Sequence, residues 1–64
     1  MNNDECVISF SGGLVVVDAY PHEVSFVRIM GRGGVEKGYW TMDEIKEDPE
    51  EVLGAIFGLM KSLE

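Results

Sequence analysis

Thr41-Met42-Asp43-Glu44-Ile45-Lys46-Glu47-Asp48-Pro49-Glu50-Glu51 is the stretch on which the fold turns. Before it the chain reads as strands, and after it as helix. Two helix starts stand inside it. In Thr41-Met42-Asp43-Glu44 the threonine hydroxyl can accept from the Glu44 amide while the Glu44 carboxylate returns to the Thr41 amide, the reciprocal arrangement of a capping box. It predicts a short helical turn over 42–47. Asp48-Pro49-Glu50-Glu51 is the second start. Asp48 is placed to cap, Pro49 lacks only an amide hydrogen that a first turn leaves unused, and the two glutamates meet the positive end of the helix dipole. The spacing beyond predicts a helix over 49–63, with Lys61 near its C-terminal end.

Upstream, β-forming runs alternate with turn clusters. Residues 6–10 end at Ser11-Gly12-Gly13, and residues 14–20 end at Pro21-His22-Glu23. Residues 24–30 end at Gly31-Arg32-Gly33-Gly34, and a weaker run over 35–40 is interrupted by Gly38. Turns at this spacing describe an antiparallel meander. The fold class is therefore α+β: a four-segment antiparallel β-meander followed by one C-terminal α-helix packed on the sheet. It forms a single small domain over 1–64.

The apolar residues exceed what one chain of this shape can hide. On a wheel of 3.6 residues per turn, Val52, Ala55, Ile56, Leu59 and Leu63 form a stripe that Leu53, Phe57 and Met60 widen to roughly 200°, against ~100° for one sheet contact. In the strands, Cys6, Ile8 and Phe10 oppose Val7, while Val15, Val17 and Ala19 oppose Leu14, Val16 and Tyr20. Val24, Phe26 and Met30 likewise oppose Val27 and Ile29. Both faces are apolar, yet one helix covers one face. The remainder is a patch of several hundred Å² of the kind that marks an interaction site, unless the sheet curls around its own core or the fourth segment folds over as a lid. With one cysteine and one histidine the chain has neither an intrachain disulfide nor zinc-ligand spacing to support a small core. Self-association, giving a homodimer, is the expectation.

The net charge of −7 over 64 residues repels nucleic acid and anionic membranes and favours a basic partner. The five basic residues are scattered, so no direct nucleic-acid binding is expected. The near-apolar run over 52–60 is too short to cross a bilayer, which takes ~20 residues. Met1-Asn2-Asn3-Asp4-Glu5 lacks the basic and apolar parts of a secretory leader. The expectation is a soluble cytoplasmic protein.

Catalytic patterns fail one by one. Gly31-Arg32-Gly33-Gly34 has Glu36 where a dinucleotide fingerprint needs glycine, and no Gly-Lys-Ser/Thr follows. His22 reads as an exposed turn residue. Cys6, beside Asp4 and Glu5, reads as a small buried apolar residue and not a reactive thiol. No enzyme, cofactor or metal is expected. Asp43, Glu44, Glu47, Asp48, Glu50 and Glu51 crowd around a single lysine, Lys46. Capping explains Glu44, Asp48, Glu50 and Glu51, but leaves Asp43 and Glu47 free to face outward.

Spaced carboxylates of this kind can occupy a groove built for phosphates. Tyr39 and Trp40 adjoin them and read equally as interface anchors and as core. The expected partner site is Tyr39, Trp40, Asp43, Glu44, Glu47, Asp48 and Glu51. The function read from it is occupation of a site on another, basic protein, in one version as an inhibitor that mimics nucleic acid; in size and charge alone the chain is like small acidic phage and mobile-element products. The alternative is a small-ligand carrier or structural subunit using the exposed sheet face.

Overall fold

A computed structural model describes residues 4–20 and 24–64. The turn at Pro21-His22-Glu23, with the reading of His22, lies outside the described residues, as do Met1, Asn2 and Asn3.

Strands β1 (Asp4–Phe10), β2 (Gly13–Ala19), β3 (Phe26–Gly31) and β4 (Glu36–Thr41) form one open antiparallel sheet in the order β1-β2-β3-β4. Helices α1 (Met42–Glu47) and α2 (Pro49–Ser62) follow. This is the meander and C-terminal helix read from the sequence. The fourth segment is a strand paired to β3 and not a lid. Strand bounds differ from the sequence reading by one or two residues, and the reason is visible at Ser25. Its hydroxyl accepts from the Tyr20 amide at 3.2 Å and its carbonyl from the Met42 amide at 2.8 Å, so it ties the end of β2 to the start of α1, and β3 begins at Phe26.

Pairing of β1 with β2 is regular from Asp4↔Ala19 to Phe10↔Gly13. Between β3 and β4 the register slips: Ile29 faces Gly38 but Met30 faces Glu36, leaving Lys37 as the extra residue of a bulge. The turn before β4 needs backbone that only glycine adopts at little cost, with φ of 89° at Gly33 and 81° at Gly34.

Alternation in the strands places Val15, Val17, Val27, Ile29 and Trp40 on the helix side. Val15, Val27, Ile29 and Ile56 are buried as one cluster, with Phe10, Val17, Trp40, Ile45, Val52, Leu59, Met60 and Leu63 packed around it. Gly38, which weakened the fourth run as a strand, is a packing slot. A Cβ there would collide with the Trp40 ring and with Leu59, so glycine lets both lie flat on β4. Leu63 ends α2, donating its amide to the Leu59 carbonyl at 3.1 Å and lying against Gly12 of the first hairpin.

Two expectations are corrected. Cys6 is exposed, not buried. It stands on the outermost strand, whose helix side α2 leaves uncovered except at Phe10, with Ile8 of the same face 54% exposed. Asp48 does not cap α2 with its side chain. It closes α1 with its amide, which donates to the Glu44 carbonyl at 3.2 Å, and opens α2 with its carbonyl, which accepts from Val52 at 3.0 Å. Serving both helices holds it at φ −145° and ψ 71°, and its carboxyl turns to Glu51 instead.

Candidate functional site

The capping box is present as the sequence requires. Thr41 Oγ1 accepts from the Glu44 amide at 3.2 Å, and Glu44 Oε1 accepts from the Thr41 amide at 2.9 Å and the Thr41 hydroxyl at 3.1 Å. Glu44 is therefore occupied in holding α1. Asp43, Glu47, Asp48, Glu50 and Glu51 are exposed, and none of them is in a salt bridge among the described residues. Glu51 takes up a proton more readily than an ordinary glutamate. The first cause is a side-chain hydrogen bond with Asp48, then the like charge of Asp48, then a minor loss of solvent. Two carboxyls this close hold a proton between them more firmly than either does alone. The break between α1 and α2 thus gathers the negative charge into one exposed corner, beside β4.

The structure separates the two aromatics that the sequence placed side by side. Successive strand residues point to opposite faces, so Trp40 joins the core under α2 while Tyr39, 46% exposed, stands on the far face of the sheet. Trp40 is spent on packing. Tyr39 belongs to an aromatic group with Phe26 at 5.0 Å between ring centroids, and Phe26 in turn meets Tyr20 at 5.8 Å. The sequence-derived site therefore divides into an acidic corner on the helix layer and a tyrosine on the opposite surface.

That opposite surface holds a feature which the sequence reading passed over. Asp18 is 1% exposed although no helix covers its face. Arg28 lies diagonally across from it on β3, with Nη2 at 3.3 Å from Asp18 Oδ2, and the guanidinium rests over the Phe26 ring at 5.5 Å. Asp18 Oδ1 and Arg28 Nε are buried without a hydrogen-bond partner. Val16, the register partner of Arg28, is buried beside them. One acid and one base set singly into otherwise apolar strands, as in Val15-Val16-Val17-Asp18 and Phe26-Val27-Arg28-Ile29, were the signal that could have revealed the pair. Around it Val7, Leu14 and Tyr39 remain exposed.

No family model, curated protein or solved structure matches this chain.

Among the described residues, no group of three or more His, Cys, Asp and Glu side chains is placed to hold a metal ion, and no helix is long and apolar enough to cross a membrane.

Proposed function

We propose that the protein is a non-catalytic binding module that acts by occupying a site on another, basic protein, with the acidic corner formed by α1 and the start of α2 as its working surface. The observation that supports this reading is the placement of Asp43 and Glu47. Both are exposed, neither has a part in the capping box, and neither is in an ion pair among the described residues. Together with Asp48 and Glu51 they offer a basic groove several carboxylates at once, which steers encounter and fixes register. In its most specific form the module is an inhibitor that takes the place of nucleic acid on its partner, of the sort phage and mobile elements carry. At −7 it does not itself bind DNA or RNA, and it works in the cytoplasm as a homodimer. The competing use, as a small-ligand carrier or structural subunit, draws on the exposed residues around Asp18 and Arg28.

The test is a side-by-side capture from source-cell lysate with the wild-type chain and an Asp43→Ser/Glu47→Ser variant. These are surface sites, so the variant should stay within about 0.5 kcal/mol of wild-type stability. The reading expects a nucleic-acid-binding protein that is retained by wild type, released by salt, displaced by duplex DNA and lost with the variant. Equal retention by both chains would mean that the carboxylates serve only the helix starts.

A further inference from the structure

We propose that two copies of this chain join through their β1 edges, antiparallel and centred on Val7, so that four strands from each copy make one continuous sheet with both α2 helices on the same face. The inference rests on the homodimer reading above and adds where the two-fold axis lies.

The two edges of the sheet are not equivalent. β4 carries the features that discourage strand addition, namely a bulge at Lys37, charged Glu36 and Lys37, and α1 packed against it. β1 carries none of them over its central part. It pairs with β2 in unbroken register through seven positions, contains no proline, keeps its charges at Asp4 and Glu5, and presents Cys6-Val7-Ile8 in the middle. Its unpaired N–H and C=O groups are a template for another strand.

Half of the exposed large apolar side chains among the described residues lie on or above the same edge, from both layers. Val7 is 50% exposed on the far face and Ile8 54% exposed on the helix face. Leu59 lies over Gly38 of β4. Stepping round α2 from Leu59 through Ile56 to Met60 therefore moves away from β4 toward β1, and the next residues on the wheel are Leu53 and Phe57, at 41% and 64% exposed. The apolar arc of the helix is wide on the side where β1 is left bare.

A second copy fits this edge. A two-fold axis at Val7 sets Asp4 against Phe10, Glu5 against Ser9, Cys6 against Ile8 and Val7 against itself, so every residue of β1 pairs and no like charges meet. Moving the axis to Cys6 or Ile8 leaves only five of the seven positions paired. The acidic corner lies beside β4, so joining at β1 carries the two acidic corners to opposite ends. The chain exposes 4434 Å², against about 4,100 Å² for a compact monomer of its mass. A stable interface takes roughly 500 Å² per copy, toward which the seam brings the β1 edge together with the exposed Leu53 and Phe57.

The pure, full chain at about 100 μM should sediment at twice 7.1 kDa. Val7→Asp, which sets two carboxylates face to face at a half-exposed site, should halve that mass with an unchanged circular dichroism spectrum. Leu14→Lys on the far face should leave the mass doubled. A Cys6→Ser/Val7→Cys chain should oxidise to its covalent dimer faster than wild type, whose exposed Cys6 faces Ile8 across the seam, and this decides the matter if Val7→Asp unfolds. Monomeric wild type would overturn the homodimer reading and this seam with it. A dimer that survives Val7→Asp but is broken by Leu14→Lys would overturn the seam alone and move it to the far face. Failure of the cysteine variant to cross-link while dimeric would overturn the register. None of these outcomes bears on the acidic corner.

Discussion

Replacing Arg28 with methionine should weaken the fold far more than a substitution at a one-third-exposed side chain usually does. Asp18 is 1% exposed, and its one polar contact among the described residues is Arg28 Nη2 at 3.3 Å. Losing one partner of a fully buried ion pair costs about 3–5 kcal/mol, because the survivor stays out of water uncompensated. The Arg28 side chain is 31% exposed and the contact is long for a charge-assisted hydrogen bond, so the pair is partly screened. A loss of about 2–3 kcal/mol is expected, including ~0.5–1 kcal/mol from the cation–π contact over Phe26.

Methionine keeps an unbranched apolar stem over the ring, which removes packing as the explanation. Against a total stability of about 3–10 kcal/mol for a chain of this length, the loss is severe. Asp18→Val combined with Arg28→Met removes both charges and should return to within about 1 kcal/mol of wild type. Urea unfolding followed by Trp40 fluorescence measures this. With a slope near 1 kcal/mol/M, the midpoint should fall by about 2–3 M and recover in the double variant. Equal losses in the single and double variants would show that the arginine does not hold the carboxylate, and the reasoning would fail.

The two helix starts should respond differently to alanine. Thr41→Ala removes a formed cap and should cost about 1 kcal/mol, whereas Asp48→Ala removes a carboxyl that makes no cap hydrogen bond and should cost less than ~0.5 kcal/mol by the same urea assay. For Glu51 the folded chain holds the proton more tightly than the unfolded one, so its contribution to stability is present below the unfolded pKa and is lost as pH rises through the raised folded value. Glu51→Gln should accordingly raise the melting temperature at neutral pH and lose that advantage in acid, and an advantage that does not change with pH would refute the coupling to Asp48.

The order of elements and both helix starts were legible in the residues, since these depend on interactions a few positions apart. Glycines set the positive-φ turn at Gly33 and Gly34, Thr41 and Glu44 satisfy each other's amides, and Pro49 fits a first turn. The acidic corner was legible for the same reason, because Asp43 and Glu47 are exposed on the elements they help to define. Which apolar residues are covered depends on how α2 packs over the sheet. Alternation says that Tyr39 and Trp40 face apart, but the position of α2 makes one of them core and the other surface. Cys6 read as buried until the helix is seen to leave it and Ile8 bare, and Gly38 read as a weak strand residue until Trp40 and Leu59 are seen to need its space. The Asp18–Arg28 pair joins residues ten apart across two strands, and its burial without a covering helix depends on the neighbouring side chains Val16 and Phe26. Local chemistry is written in neighbouring residues, whereas burial depends on where a helix comes to rest on a sheet.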